Sequence, residues 1–182
     1  MTTTPASASR PPRSRRAPRP VRRGPDIALR DVRADEWEAV RDIFREYAAS
    51  LRIDLCFQGF EAELAGLPGD YSAPSGALLL GWVDGRLAAC GAVRALPEVD
   101  HANACEMKRL YVRPAFRGLG LGRSIAQALM ERASAAGYSS MLLDTLDDMQ
   151  TARGLYASLG FEEVPAYYYN PIPGAHYLKA TL

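Results

Sequence analysis

The sequence predicts a mixed α/β fold in which a mostly antiparallel central sheet is flanked by helices. Apolar runs at 77–83 and 86–94 are joined by Asp84-Gly85, a strong signal for a two-residue β-hairpin. Between residues 104 and 145 an alternating segment, a loop, a helical segment and a second apolar run follow one another, which is the order of a βαβ crossover. The helical part of that unit has apolar residues at i, i+4, i+7, i+8 and i+12 from Leu121.

Composition indicates one folded domain. The chain has 182 residues, 48% hydrophobic and 24% charged, which is enough to bury a full core. It has no run of 18 apolar residues, so we expect no membrane span and no membrane partner. Three widely spaced cysteines suit a reducing compartment. Because the chain has only two histidines and no Cys-x-x-Cys motif, we expect no metal site. The sequence is typical of a cytoplasmic protein.

The first 25 residues differ from the remainder. They hold seven arginines and no acidic residue, and they are rich in Pro, Ser and Thr, which predicts a disordered tail before a folded domain at 26–182. A basic arm could contact nucleic acid or an anionic membrane, and an arginine- and serine-rich start could be a transit peptide, although its prolines oppose the required helix. We prefer a dispensable extension. The remaining 15 basic and 21 acidic residues give the folded part a charge of −6, so no nucleic-acid partner is expected.

The first half of the domain contains two predicted helices between strands. A first strand begins at Ile27, and a helix beginning at 34–37 has a buried stripe that continues to Ala48. A shorter helix at 57–67 is stopped by Pro68-Gly69. The strand at 104–112 completes an antiparallel meander with the two hairpin strands.

That third strand of the meander carries two charges among apolar residues. Strict alternation puts four of its residues on one face: Glu106, Lys108, Leu110 and Val112. Charges are rarely buried without partners, so either an ion pair at an edge or a functional role explains Glu106 and Lys108.

The second half continues the alternation of helices and strands. The helix from Leu121 is stopped by Gly137, and 141–145 is predicted to be a strand parallel to 104–112. A helix at 150–159, a strand from Phe161 and a closing strand at 176–181 complete the domain.

A glycine-rich loop precedes the helix at Leu121. Gly118, Gly120 and Gly122 lie at every second position, so backbone N–H groups are free of side chains at the positive end of a helix dipole. This arrangement predicts a phosphate or pyrophosphate site, and the alternative is a turn without a ligand. The spacing is not that of a dinucleotide fingerprint, and no P-loop lysine follows.

Two segments resemble the GNAT superfamily of acyl-CoA-dependent N-acetyltransferases. The first is 117–122, Arg-Gly-Leu-Gly-Leu-Gly, which matches Arg/Gln-x-x-Gly-x-Gly/Ala, and the second is 152–161, which is similar to the family pattern ending in Leu-Tyr-x-x-x-Gly-Phe. The resemblance implies acetyl-CoA as cosubstrate, with its pyrophosphate on the loop amides, and two splayed parallel strands between which the pantetheine arm enters. The residues implied in coenzyme binding are Leu110, Tyr111, Val112, Arg117, Gly118, Leu119, Gly120, Leu121, Gly122 and Arg123.

The same resemblance implies two catalytic residues. Glu106 falls where some family members have a general base that takes a proton from the acceptor amine, directly or through water. Tyr156 falls on the tyrosine that protonates the departing thiolate, a role suited to a phenol that is neutral at pH 7. The chain departs from the family at Met149, where the pattern has an asparagine, which puts one polar contact to the pantetheine arm in doubt.

The acceptor is predicted to be a small-molecule primary amine that attacks the thioester directly in a ternary complex. Candidate acceptor contacts come from three parts of the chain: Arg52, Gln58, Phe60, Lys108, Tyr167, Tyr168 and Asn170. The acidic domain favours a cationic acceptor, whereas Lys108 and Arg52 favour an amino-acid carboxylate, so both remain open. A non-catalytic module that binds CoA or an amino acid is the alternative function, and a homodimer paired through an edge strand also remains open.

Overall fold

The computed structural model describes residues 24–51, 55 and 58–182. The predicted tail at 1–25 therefore lies outside the described residues except for its last two, and the candidate acceptor contact Arg52 also lies outside them.

Seven strands and four α-helices form the described part of the chain. The strands are β1 Ile27–Asp31, β2 Ala77–Val83, β3 Arg86–Ala95, β4 Ala104–Val112, β5 Ser140–Leu146, β6 Glu162–Val164 and β7 Ala175–Thr181. The helices are α1 Trp37–Leu51, α2 Phe60–Gly66, α3 Leu121–Ala135 and α4 Gln150–Ser158. The structure confirms the predicted mixed fold, and β2 and β4 have the predicted bounds.

The strands form one sheet in the order β1-β2-β3-β4-β5-β7-β6. Every neighbouring pair is antiparallel except β4 and β5, which are parallel and are connected through α3. The predicted hairpin joins β2 to β3, where Asp84 and Gly85 both have positive φ angles, as a two-residue hairpin loop requires.

The two parallel strands diverge along their length. Only 104–106 of β4 pair with 140–142 of β5, whereas β5 stays paired with β7 as far as Leu146 and β4 stays paired with β3 as far as Val112. The facing edges of the two strands beyond this point therefore have main-chain groups without a ladder partner among the described residues. This divergence confirms the predicted splay.

Each face of the sheet carries its own hydrophobic core. Helices α3 and α4 cover one face through a cluster that includes Ile125, Leu129 and Tyr156. Helices α1 and α2 cover the other face through a cluster that includes Phe44 and Leu64. Among the described residues, no helix combines the length and the apolar character that crossing a membrane requires.

A β-bulge in β4 corrects one sequence prediction. Cys90 of β3 pairs with Tyr111 and Ala92 pairs with Lys108, so the single residue Gly91 lies opposite two residues, Arg109 and Leu110. Arg109 has φ 59°, in the left-handed region.

The prediction that Glu106, Lys108, Leu110 and Val112 share one face is therefore wrong beyond the bulge. Leu110 and Val112 pack on the α3 side, whereas the side chains of Lys108 and Arg109 both approach the α1–α2 side, the first near Glu106 and the second on Glu63 of α2. The bulge thus puts two consecutive cations on one face of the sheet.

Candidate functional site

A long cleft opens where β4 and β5 diverge. Its volume is about 510 Å³. Four parts of the chain form its walls, namely the end of α1, the end of β4, the glycine loop with the start of α3, and the start of α4 with the residues before it. Of the residues predicted to bind the coenzyme, all except Leu119 line this cleft, and the side chain of Leu119 is exposed at the tip of the loop.

The start of α3 is an array of free main-chain donors. The N–H groups of residues 118–123 donate no hydrogen bond within the described part of the chain, and no side chain caps the helix. Gly118 and Gly120 have φ angles of 82° and 79°, and a Cβ at either position would meet nothing within 4 Å. The loop therefore has both the donors and the space for an anionic group, which fits the pyrophosphate of an acyl-CoA.

Two arginines flank these donors. Arg117 donates from Nε to the carbonyl of Val112 at 3.2 Å, and Arg123 donates from Nη2 to Oγ of Ser158 at 2.6 Å. These contacts are to neutral groups, so both guanidinium groups keep their full charge beside the loop. They strengthen the positive potential that the helix dipole produces there.

Tyr156 lies where the long cleft meets a second cavity, the inner pocket. Five residues line both cavities: Tyr47, Leu51, Leu110, Met149 and Tyr156. The hydroxyl of Tyr156 makes no hydrogen bond to any described residue. Burial raises the pKa of this phenol, with smaller contributions from Tyr47 and Asp144, so it stays protonated and can donate at neutral pH.

The inner pocket is small and polar. It encloses about 40 Å³, and its charged lining residues are Lys108, Arg109 and Asp144. Gln58 and Asn170 also line it, and Tyr168 reaches it through a hydrogen bond to Asp144. Because the pocket shares Tyr156 with the long cleft, a group bound here would lie next to the inner end of a ligand in the cleft.

Glu106 is held from several sides and lines neither cavity. It is 1% exposed, and its Oε2 accepts from Arg94 Nε at 2.8 Å. Its Oε1 accepts from the Tyr167 hydroxyl at 2.9 Å and lies 3.7 Å from Lys108 Nζ. Direct proton transfer from a substrate to Glu106 would therefore require one of these partners to move.

Arg109 belongs to a buried ion pair. It is 3% exposed and donates from Nε and Nη2 to the two carboxylate oxygens of Glu63, at 2.9 and 2.5 Å. Its Nη1 donates to Gln58 Oε1 at 3.2 Å, and Phe60 lies under its guanidinium plane at 5.2 Å. Phe60 therefore supports the pocket from the core and lines neither cavity.

Asp144 is the inner-pocket carboxylate, and its hydrogen bonds come from neutral donors. Its Oδ2 accepts from the Tyr168 hydroxyl at 2.8 Å and from Asn170 Nδ2 at 3.3 Å, while Gln58 Nε2 donates to the same Tyr168 hydroxyl at 3.2 Å. Burial and the Asp144 charge raise the pKa of Tyr168, which keeps this phenol a donor. The second oxygen of Asp144, Oδ1, accepts no hydrogen bond from any described residue.

The structure thus brings the predicted residues Gln58, Lys108, Tyr168 and Asn170 together, whereas Tyr167 lies behind them on Glu106. Several residues of the inner pocket were not predicted from the sequence, among them Arg109, Asp144 and Thr145. Two signals were available, namely a lone carboxylate inside the apolar strand at 141–145 and two adjacent cations inside a buried strand. Thr145 gave no signal.

Comparison with known proteins agrees with this geometry. The model of the acetyltransferase (GNAT) family matches residues 37–161. An uncharacterized N-acetyltransferase of Schizosaccharomyces pombe is 41% identical over 140 residues, which cover 77% of this chain and 85% of the relative.

Solved structures have the same fold. A GNAT-family acetyltransferase from Staphylococcus aureus superposes with a TM-score of 0.69 at 15% identity, covering 86% of this chain and 99% of the other. The PaiA N-acetyltransferase of Thermoplasma acidophilum, in complex with coenzyme A, has a TM-score of 0.66 at 15% identity with the same coverage.

The diverging parallel strands above a glycine-rich helix start define an acyltransferase class. The chain belongs to the GNAT family and is an acyl-CoA-dependent N-acyltransferase.

Proposed function

We propose that this enzyme transfers an acetyl group from acetyl-CoA to the primary amine of a small molecule, with residues 26–182 as its catalytic domain. The observation that carries the proposal is the free array of N–H groups at residues 118–123, which opens into a cleft whose inner end reaches Tyr156. The coenzyme's pyrophosphate would bind this array, flanked by Arg117 and Arg123. The unpaired edges of β4 and β5 would accept the amides of the pantetheine arm.

The inner pocket would receive the acceptor. Acetyl-CoA supplies an activated carbonyl carbon, which the acceptor nitrogen attacks directly in a ternary complex as the carbon–sulfur bond breaks. Tyr156 donates its hydroxyl hydrogen to the sulfur as negative charge develops there. Because the pKa of this phenol is raised, its contribution is a hydrogen bond that strengthens with the charge.

The acceptor ammonium must lose a proton before it can attack. Asp144 has an oxygen that accepts no hydrogen bond from a described residue, and it lines the pocket together with Tyr156, which supports Asp144 as the group that accepts this proton. Glu106, the base expected from sequence, has partners on both oxygens and lines neither cavity. In this proposal Glu106 is a positioning residue that holds Tyr167 and Lys108.

Thermal unfolding with and without excess acetyl-CoA tests the coenzyme site. At about 100 times the dissociation constant, binding to the folded state adds about 2.7 kcal/mol, which corresponds to a rise in Tm of about 5–10 °C for a chain of this size. Gly120→Glu introduces a carboxylate among the loop amides and should abolish the rise, because like charges repel.

A matched control separates repulsion from backbone strain. Gly137 follows the other end of α3, has φ 93° and would also meet nothing within 4 Å of a new Cβ. Gly137→Glu therefore carries a similar conformational cost far from the cleft and should retain the full rise in Tm. Loss of the rise in both variants, or no rise in the wild type, contradicts the site.

Detection of released CoA thiol with a panel of amines then tests turnover. Transfer to an amine supports the enzyme proposal. Protection by acetyl-CoA without release of CoA with any amine would favour a binding module.

A further inference from the structure

The charges around the inner pocket are paired unequally. Arg109 is neutralised by Glu63 through two hydrogen bonds, and Arg94 approaches Glu106 with two nitrogens at 2.8 and 2.7 Å. Among the described charges around the pocket, Lys108 has the weakest pairing, because its ion-pair partner is the already occupied Oε1 of Glu106 at 3.7 Å.

Lys108 is unusually placed for a lysine. It is 7% exposed, lines the inner pocket, and its Nζ donates no hydrogen bond to any described residue. A buried ammonium without hydrogen-bond acceptors is costly. Burial lowers the pKa of Lys108, while Glu106 and Asp144 oppose this effect. An anionic ligand group in the pocket would supply the missing acceptors.

Asp144 presents the opposite charge in the same pocket. Neutral donors hold its Oδ2, and no ion pair joins it to Lys108 or to another cation among the described residues. Thr145 adds a third unsatisfied group, since it is 3% exposed and its buried Oγ1 has no hydrogen-bond partner in the described structure. Among the described residues, the pocket therefore offers a carboxylate oxygen and an ammonium group that both lack a hydrogen bond, while the Thr145 hydroxyl is buried in its wall.

We propose that the acceptor is a compact amino acid whose ammonium group binds Asp144 and whose carboxylate binds Lys108. Such a zwitterion satisfies both charges at once, whereas a polyamine or another purely cationic acceptor would place a second positive charge beside Lys108. The small volume favours an acceptor with a short side chain.

This inference rests on the proposed acetyl transfer, and the reaction balances within it. The acceptor ammonium gives one proton to Asp144, and the nitrogen lone pair forms the new carbon–nitrogen bond as the carbon–sulfur bond breaks. The nitrogen loses its second proton as the amide forms, and the sulfur leaves as the thiol of CoA. The products are an N-acetyl amino acid, CoA and one net proton.

The test compares amino acids with their own carboxamides. Glycine, L-alanine, L-serine and L-aspartate are assayed beside glycinamide and the matching α-amides, and kcat/KM is obtained from thiol release. For at least one pair we expect the amino acid to exceed its amide by about 10- to 100-fold, the range for losing a hydrogen bond to a charged group. Lys108→Met should remove this preference by lowering kcat/KM for the amino acid alone.

Two further variants make the assignment specific. Asp144→Asn should lower kcat with the amino acid and with its amide alike, because Asp144 faces the nitrogen common to both. Lys179→Met removes the other lysine of the chain, which lines neither cavity, and should leave the preference intact. Unfolding curves verify that each variant is folded. The comparison of each amino acid with its amide is made on the wild-type enzyme, so it does not depend on the folding of any variant.

The outcomes distinguish the two proposals. Equal rates for amino acid and amide, or transfer to amines alone, overturn the amino-acid assignment while acetyl transfer stands. No transfer to any amino acid, with Tm still raised by acetyl-CoA, also overturns the assignment. No rise in Tm and no thiol release overturn the proposed function as well.

Discussion

The buried pair between Glu63 and Arg109 offers the sharpest test of how the inner pocket is supported. Glu63→Gln keeps the shape of the side chain and removes its charge. The Arg109 side chain is 2% exposed and that of Glu63 is 16% exposed, so water can hydrate the guanidinium group very little. Tyr71 also donates to Glu63 Oε1 at 2.8 Å, which fixes the carboxylate in place.

The expected loss of stability follows from a property of buried ion pairs: removing one partner alone destabilises the fold strongly, because the other charge stays buried without compensation. Such a removal costs about 3–5 kcal/mol of the free energy of unfolding. Because the amide of Gln can keep some of the hydrogen bonds, we expect Glu63→Gln to cost about 3 kcal/mol, at the low end of this range. At about 2–4 °C per kcal/mol for a chain of this length, Tm should fall by about 6–12 °C. Burial alone would raise the pKa of Glu63, but the Arg109 hydrogen bonds and charge outweigh it and hold this pKa below 4.5.

Urea denaturation as a function of pH measures both effects. A carboxyl group whose pKa is lower in the folded state stabilises the fold above its ordinary pKa of 4.5, and this contribution is lost as the pH falls below that value. The stability gap between wild type and Glu63→Gln should therefore be full at neutral pH and narrow in acid.

Glu38→Gln is the matched control. Its carboxylate is 71% exposed and pairs with Arg41 at 3.3 Å, so its loss should cost at most about 1 kcal/mol. Equal costs for the two variants would refute the argument from burial, and a gap that widens in acid would refute the sign of the pKa shift.

Three other changes probe the site and the fold. Tyr156→Phe should lower kcat by about 100-fold with little change in the KM for acetyl-CoA, because its hydroxyl acts on charge that develops during reaction; steady-state kinetics measure both. Gly91→Ala should cost about 1–3 kcal/mol in urea denaturation, since the new Cβ would lie 2.6 Å from a side-chain carbon of α3. Glu163 and Asp147 raise the pKa of His176, so the stability gap between wild type and His176→Gln should be present below pH 6.5 and close as the pH rises through the raised value.

Local sequence signals were sufficient for the elements of the fold. An apolar run gave the bounds of β2, an alternating segment gave those of β4, and Asp84-Gly85 gave the hairpin between β2 and β3, because strand and turn preferences act over a few neighbouring residues. Loop glycines and the helical period likewise gave the start of α3 at Leu121. The ends of α2 were less accurate, since the predicted helix at 57–67 is Phe60–Gly66 in the structure.

The bulge at Arg109 could not be derived from alternation. A single extra residue on β4 reverses which side chains face α3. The residue opposite the bulge is Gly91, and side chains that include Ile125 and Leu110 fill the space where its own side chain would lie. The adjacent cations Lys108 and Arg109 were the visible irregularity. In a regular strand, adjacent residues point to opposite faces. Because of the bulge, the side chains of Lys108 and Arg109 instead point to the same buried face.

The roles of the charged residues depend on pairings between distant segments. Arg109 meets Glu63 across 46 residues, and Tyr167 meets Glu106 across 61 residues. The resemblance to the GNAT superfamily made Glu106 the candidate base, because some members of the family have a general base at this strand position. In the structure Glu106 accepts hydrogen bonds from Arg94 and Tyr167, while one oxygen of Asp144 accepts none from the described residues.

A carboxylate whose oxygens already accept hydrogen bonds from the protein is a poor proton acceptor for the substrate. The existing hydrogen bonds of Glu106 and Asp144 therefore decide between them. The same reasoning applies to the cations, because Arg109 is paired with Glu63, whereas Lys108 lies 3.7 Å from Glu106 and its Nζ donates no hydrogen bond to a described residue. Lys108 and Asp144 bring opposite charges to the pocket, and among the described residues the Lys108 ammonium and one oxygen of Asp144 have no hydrogen bond. A bound zwitterion leaves the net charge unchanged and completes those bonds, which is why the charge balance of the pocket favours an amino acid over an amine of one sign.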